Sequence, residues 1–150
     1  MAAAAASPPR VLVAFDGSRA AERRLAGAVA WCRRTRGVLA VAVVRGRWAP
    51  VARQWPCVLE EHDRWLRRRV LEVVPADVTL RLLVVGGPST ARALLGAAAR
   101  LSCDTLALPV RDARRRRLAR RIDRAGLRSV SFGDHRRTLA GGPRIGEDRP

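Results

Sequence analysis

Short apolar runs alternate with longer segments of helical periodicity along this chain of 150 residues. The runs are continuously apolar, like the segment VLVAF at residues 11–15, and such runs are typical of strands buried on both faces. The segments between them repeat apolar residues every three or four positions, as amphipathic helices do. Strands that alternate with helices predict right-handed parallel crossovers, and therefore an open, doubly wound α/β domain of the Rossmann-like type.

The alternation predicts five strands and four helices. The predicted strands span residues 11–15, 38–44, 78–85, 105–109 and 127–132. The predicted helices run from Ser18, a suitable N-cap, to Gly37, from Pro56 to Pro75, from Pro88 to Leu101, and over residues 113–125.

The length of the chain favours one folded domain rather than two. We assign this domain to residues 10–132 and expect residues 1–9 and 133–150 to be disordered. The longest apolar run, residues 38–44, is far shorter than a membrane-spanning helix requires. No positive charge precedes the alanines near Met1, so we expect no secretory signal, no membrane association and a cytoplasmic location.

The charge of the chain is strongly positive. Thirty arginines and no lysines stand against 13 acidic residues, giving a formal net charge of +17. The absence of lysine, asparagine and tyrosine beside abundant alanine resembles the codon bias of a GC-rich genome, so the choice of arginine is not in itself functional. Residues 10–132 contain 26 of the arginines and 10 acidic residues, so the excess charge belongs to the predicted domain. The electric field of such an excess of positive charge attracts nucleic acids, nucleotides and other anions without selecting among them.

The fourth predicted helix carries the densest charge. Residues 111–124 contain eight arginines and two aspartates. One interpretation is a solvated outer face of a crossover helix; the other is a patch for anions or nucleic acid. The candidate residues of this patch are Arg111, Arg114, Arg115, Arg116, Arg117, Arg120 and Arg121.

Cysteine and histidine give no sign of a metal or redox site. The three cysteines are an odd number without a close pair, which argues against a disulfide framework and a CxxC site. His62 and His135 lie far apart in the sequence, and we expect neither to bind a metal.

Two stretches resemble the universal stress protein family. Residues 11–18, VLVAFDGS, are similar to the family's opening strand and Asp-Gly-Ser turn, and residues 86–109 are similar to its later strand, helix and strand. The resemblance implies a five-stranded parallel sheet, in the fold superclass of the adenine nucleotide alpha hydrolases. It also implies homodimerisation through the last strand and, in one branch of the family, ATP bound where the strand order reverses.

The resemblance also assigns candidate binding residues. Asp16, with Gly17 and Ser18 of the same turn, would contact the nucleoside, Val43 would line the adenine pocket, and Pro109 would begin the phosphate loop. The same turn has a purely structural interpretation, because an Asx-type turn with a helix cap suits any strand-to-helix connection in this fold.

The phosphate loop departs from the ATP-binding branch. Those relatives have the pattern Gly-x2-Gly-x9-Gly followed by Ser or Thr, whereas no glycine occurs here between Gly96 and Gly126. A phosphate cradle needs inward-pointing amides and little steric hindrance, but Pro109 lacks an amide hydrogen and Val110 is β-branched. We therefore expect no ATP cofactor; the alternative is an ATP-binding protein that uses arginines in place of the glycines.

The sequence indicates no catalysis. The motifs GxSxG, GxxxxGK[ST], HExxH and GxGxxG are absent, as are the loops of related pyrophosphatases and nucleotidyl transferases. We predict a non-catalytic regulatory or stress-response domain that acts through protein partners, as a homodimer. The alternative is an arginine-rich accessory protein that binds nucleic acid.

Overall fold

The alternation of strands and helices in the sequence is also the order of elements in the structure, a computed structural model. It describes residues 7–45, 54–86, 90–108 and 113–132, with the backbone alone at residue 90 and at residues 113–115. The strands are β1 (Arg10–Phe15), β2 (Val38–Val44), β3 (Leu80–Val85), β4 (Thr105–Ala107) and β5 (Arg128–Val130). The helices are α1 (Arg19–Thr35), α2 (Pro56–Val73), α3 (Thr90–Arg100) and α4 (Ala113–Arg124).

The five strands form one sheet in the order β3-β2-β1-β4-β5, and every neighbouring pair is parallel. This confirms the doubly wound α/β fold. The chain first moves from β1 outward to β3 and then returns to β4 on the other side of β1. The strand order therefore reverses between β1 and β4, and a crevice at the carboxyl ends of the strands is expected there.

Strand β1 divides the core into two layers. Val11, Val13 and Phe15 point toward α1 and α2 and form the α1/α2 layer, whereas Leu12 points toward α3 and α4 and forms the α3/α4 layer. All four side chains are fully buried. A strand with both faces covered can carry no polar residue without a hydrogen-bonding partner, which explains why residues 11–15 are continuously apolar.

The two layers receive side chains of different size from β2. Leu39, Val41 and Val43 point into the α1/α2 layer, and Ala40 and Ala42 point into the α3/α4 layer. The short alanine side chains allow α3 to lie close to the sheet, and α3 in turn contributes small residues such as Ala97 and Ala98.

Several elements are shorter than the sequence predicts. Strand β3 begins at Leu80 rather than residue 78, because the amide of Val78 bonds to the carbonyl of Pro75 at 3.1 Å in a turn. Strand β5 comprises three residues rather than the predicted 127–132, and among the described strands it pairs with β4 alone. The predicted end of β4 at Pro109 lies outside the described residues, as do residues 1–6 and 133–150.

Helix α1 ends differently from the prediction. The residue with left-handed backbone geometry is Arg36, at φ 54°, and Gly37 is required instead for packing. A Cβ at Gly37 would lie 2.8 Å from the carbonyl oxygen of Pro9 and 3.1 Å from the ring of Trp31. The glycine thus lets the chain enter β2 close beside the residues that precede β1.

No described helix combines the length and the apolar character that crossing a membrane requires.

The contact between α1 and the end of β5 predicts a stability change. A Cβ at Gly27 would lie 2.5 Å from the Cβ of Phe132, an atom that cannot move away by a simple rotation. Gly27→Ala should therefore lower the free energy of unfolding by about 1–3 kcal/mol, as overpacking does, when measured by urea denaturation.

Gly96 provides the matched control. It also lies within a helix, but a Cβ there meets nothing within 4 Å. Gly96→Ala should raise the free energy of unfolding by up to about 1 kcal/mol through helix propensity. Equal effects of the two substitutions would contradict the contact with Phe132.

The cysteines should report on the two core layers separately. Cys32 is buried in the α1/α2 layer, Cys103 is buried in the α3/α4 layer, and Cys57 is exposed. A thiol reagent should modify Cys57 in the native chain and reach the other two only when their layer opens. Rapid native labelling of Cys103, read by mass spectrometry, would contradict the packing of the α3/α4 layer.

The same two thiols predict a pH dependence. Burial raises the pKa of Cys32 and of Cys103 from 9.0 to about 11. Between these values the unfolded chain loses its thiol protons while the folded chain keeps them. Stability should therefore be unaffected by these groups below about pH 9 and should fall as pH rises from about 9 to about 11. Urea denaturation at several pH values measures the fall, and Cys32→Ala with Cys103→Ala should reduce it.

Candidate functional site

The turn between β1 and α1 is ordered by its own polar side chains. The Asp16 carboxylate accepts a hydrogen bond from the amide of Ser18 at 3.0 Å, and the Ser18 hydroxyl accepts one from the amide of Ala21 at 3.2 Å. The first bond forms an Asx-type turn and the second caps α1. The structural interpretation of this motif is therefore confirmed, and Asp16 remains exposed at the edge of the turn.

Trp65 of α2 lies against the same turn. Gly17 has φ +82°, and a Cβ there would be 2.7 Å from Cζ3 of Trp65 and 2.9 Å from Cδ2 of Leu66. The position requires glycine for both its backbone geometry and its packing. The indole stacks on the ring of His62, with ring centroids 5.8 Å apart, and Trp65 is 45% exposed. The turn is thus covered on this side by an aromatic ring.

Arg24 lies on the other side of the turn. Its Nη1 donates a hydrogen bond to the carbonyl oxygen of Ala14 at 3.3 Å. Partial burial lowers the pKa of Arg24, and the negative charge of Asp16 offsets part of that effect. Gly27, one turn further along α1, contacts Phe132 after β5, so this side of α1 faces β4 and β5. Arg24 therefore places a positive charge at the carboxyl end of β1, where the reversal of strand order predicts a crevice.

The end of β2 has little open surface. The Val43 side chain is fully buried in the α1/α2 layer, so only the backbone of this residue could meet a ligand. The Arg45 guanidinium donates from Nε and Nη2 to Oδ2 of Asp63 in α2, at 3.3 and 2.9 Å. The other carboxylate oxygen of Asp63 is buried and accepts no hydrogen bond from the described residues. This ion pair connects the end of β2 with α2.

Two arginines on the α1/α2 side of the sheet, Arg33 and Arg69, pair with carboxylates. Arg33 forms two hydrogen bonds with Asp77, at 2.8 and 2.9 Å, and these bonds hold the pKa of Asp77 below its usual range. Arg69 bridges Glu22 of α1 and Glu72 of α2. These pairs are largely exposed, so each contributes little stability, but together they orient α2 and the loop after it against α1.

The arginines of α4 are not engaged in this way. Within the described ranges, no carboxylate pairs with the α4 arginines whose side chains are described, which are Arg116, Arg117, Arg120, Arg121 and Arg124. All five are exposed. Like charges three and four residues apart repel one another along a helix, so this arrangement does not stabilise α4.

Comparison with known proteins shows which solved structures resemble this chain. No protein-family model and no curated protein matches the chain. Solved structures do match: UspA from Lactobacillus plantarum has a TM-score of 0.62 and 17% identity over 83% of this chain and 97% of its own. A universal stress protein from Archaeoglobus fulgidus has a TM-score of 0.55 and 15% identity over 82% and 92% of the two chains. A universal stress protein in complex with cAMP has a TM-score of 0.52 and 19% identity, over 82% of this chain and 95% of its own.

The chain has the universal stress protein fold. The elements agree along almost the whole length of these structures, while the low identity establishes the fold alone. Within the universal stress protein fold, the turn at Asp16 lies at the carboxyl edge of β1, next to the β1–β4 crevice.

The structure brings some of the predicted site residues together and leaves others apart. Asp16, Gly17 and Ser18 form one turn, whereas the Val43 side chain lies beneath it in the core. Pro109 and Arg111 lie outside the described residues, and so do the side chains of Arg114 and Arg115. In the described part of the chain, no group of three or more potential metal ligands occurs.

Arg24 and Trp65 are the two residues near the turn that sequence reasoning did not select. The helical periodicity of α1 places Arg24 only outside the apolar stripe, and Trp65 is 47 residues or more from the turn it covers. A signal for Trp65 does exist in the sequence: it precedes Leu66 of the apolar stripe, on the side of α2 that also carries Val58 and His62.

Proposed function

We propose that this chain is a non-catalytic regulatory or stress-response domain of the universal stress protein fold that has lost ATP binding in the manner of the ATP-binding branch and acts through protein partners. The observation that carries the proposal is the contact of Trp65 with Gly17. In that branch the first turn contacts the nucleoside. Here one side of the turn is occupied by the chain's own indole ring.

The sequence after β4 supports the same conclusion. The stretch that would hold phosphates has no glycine between Gly96 and Gly126, and it begins with Pro109 and Val110. Backbone amides that converge on an anion are the usual means of holding phosphate in such loops. A proline contributes no amide hydrogen, and a β-branched residue restricts the backbone.

Helix α2 offers a surface for a protein partner. Among the described residues, the large apolar side chains that are exposed are Trp55, Val58, Trp65 and Leu71, all in α2 or directly before it. The surrounding segment is neutral, because residues 54–86 contain five arginines and five acidic residues. Exposed aromatic rings in neutral surroundings are typical of the centre of a protein interface.

A second candidate function is ATP binding with arginines in place of glycines. Arg24 favours it, because this residue places a partly buried guanidinium beside Asp16 and the crevice. Guanidinium groups bind phosphate by paired, charge-assisted hydrogen bonds. A nucleotide whose base lies near the turn would bring its phosphates toward this group.

A titration by thermal shift separates the two functions. The ligands are ATP, ADP and cAMP, the last because a solved structure of this fold is a complex with it. If ATP binding has been lost, none of them should raise the melting temperature of the wild-type chain at sub-millimolar concentration. Stabilisation of the wild-type chain by several degrees would overturn the proposed loss.

Two substitutions test which side chain decides whether the chain binds a nucleotide. If the indole covers the nucleoside position, Trp65→Ala should gain a nucleotide-dependent shift, whereas Trp55→Ala, which removes another exposed indole, should not. If ATP binds the wild-type chain instead, Arg24→Gln should abolish the shift, and arginine-assisted binding is then the correct function.

We also propose that the domain forms a homodimer through β5. This strand lies at the edge of the sheet, and its Arg128 amide and Val130 carbonyl bond toward β4. The amide and carbonyl of Ser129, between them, therefore point outward and can pair with a second copy.

Light scattering after size-exclusion chromatography tests the dimer. The wild-type chain should have about twice the 16.4 kDa mass of one chain. Ser129→Pro removes the outward amide hydrogen at an edge position that tolerates proline, so it should give a monomer. Ser129→Ala keeps the amide and should remain dimeric; a dimeric Ser129→Pro chain would exclude pairing at this strand.

A further inference from the structure

The positive charge of the domain is unevenly distributed. Residues 54–86, which include α2 and β3, are balanced between arginines and acidic residues. Residues 90–132, which include α3, α4 and β5, contain eleven arginines and three acidic residues. Helix α4 itself contains seven arginines and one aspartate, Asp123. Helix α1 contains five arginines and one glutamate, so the largest excess of positive charge on a described helix is that of α4.

Helix α4 has one apolar side and one side made of arginine. Ile122 is fully buried, and Leu118 and Ala119 are partly buried against the α3/α4 layer. The remaining directions carry the arginines whose exposure the structure describes, which we call the arginine face: Arg116, Arg117, Arg120, Arg121 and Arg124. At 1.5 Å per residue, the row from Arg116 through Arg120 to Arg124 extends for about 12 Å.

Among the described residues, α1 and α2 mix arginines that hold carboxylates with exposed arginines that do not, such as Arg34 and Arg64, whereas none of the arginines described on α4 holds one; this concentration indicates that the face has a role. Arg33, Arg45 and Arg69 each hold carboxylates that connect separate elements of the fold. Codon bias explains why a basic residue is arginine, but it does not explain why one helix collects arginines without acidic partners. Because the residues repel one another along α4, an anion that bound there would relieve the repulsion.

We propose that the arginine face of α4 binds the phosphodiester backbone of nucleic acid. A straight row of guanidinium groups suits a polymer with regularly spaced phosphates, because the polymer can bind in several registers. A protein partner is less suitable, because a protein interface needs an apolar centre. Among the described residues, the exposed large apolar side chains all lie in or beside α2, and none lies on α4.

The composition of the face determines the kind of binding. It contains no aromatic ring to stack on bases and no amide side chain to read base edges, so the contacts are to phosphates alone. Binding should be independent of base sequence and should weaken steeply with salt. It uses the opposite side of the sheet from α2 and therefore does not depend on the proposed function.

The test measures fluorescence anisotropy of a labelled single-stranded oligonucleotide and of the duplex of the same sequence, with the full chain, between about 50 and about 200 mM salt. One variant, R116Q/R117Q/R120Q/R121Q, removes four charges from α4. The control, R34Q/R64Q/R67Q/R68Q, removes four exposed arginine charges from α1 and α2, and glutamine retains helix propensity at every position. The milder double variant R116Q/R120Q is used if the first does not fold by circular dichroism.

The expected results distinguish binding at the arginine face from a general effect of the net charge of the chain. The α4 variant should bind about tenfold or more weakly, and its salt slope should fall by about 0.9 for each duplex phosphate that the variant no longer neutralises, or about 0.7 on a single strand. The control should remain within about threefold of the wild-type chain. Equal effects of both variants, or no binding by the wild-type chain at low salt, would overturn the proposal. Displacement of the oligonucleotide by polyglutamate as readily as by unlabelled nucleic acid would overturn it too, in favour of an acidic protein.

Discussion

The burial of β1 on both faces is the constraint on which the rest of the molecule depends. Its backbone pairs with β2 on one side and β4 on the other, and its side chains fill both core layers. No polar group can be placed along such a strand without losing its hydration, so polar residues begin only where the strand ends. The turn at Asp16 is the first place after this strand where polar side chains can meet solvent or a ligand. It lies beside the point where the strand order reverses.

The residues packed around the turn at Asp16 determine which of its groups a ligand can reach. Asp16 and Ser18 use hydrogen bonds to build the turn and begin α1, and Trp65 occupies the space above Gly17. Arg24 lies near Asp16 at the end of β1, and the two opposite charges attract each other. The resemblance assigns a nucleoside contact to this turn. Here the turn is bounded by an indole ring and a guanidinium group, and the proposed loss of ATP binding rests on that arrangement.

The arginines of this chain perform two different tasks. Arg33 of α1, Arg45 after β2 and Arg69 of α2 form ion pairs that connect elements. Those of α4 are exposed and have no acidic partner among the described residues. One residue type thus contributes both to the assembly of the α1/α2 side and to a strongly positive opposite side. The protein-binding surface proposed at α2 and the nucleic-acid surface proposed at α4 can therefore be occupied at the same time.

The architecture follows from the pattern of the sequence. Continuous apolar runs such as VLVAF can be satisfied only in a sheet covered on both faces, and the helical periodicity between them requires crossovers, so the doubly wound fold and the β2 bounds, residues 38–44, follow from local pattern. Ser18 as the cap of α1 was also predictable, because a cap is a contact within one turn. Only three-dimensional packing establishes that Trp65 covers Gly17, that Phe132 requires a glycine at position 27, and that Arg24 bonds to the carbonyl of Ala14. These are contacts between residues distant in the sequence, and their geometry depends on how the helices lie on the sheet, which a one-dimensional pattern does not encode.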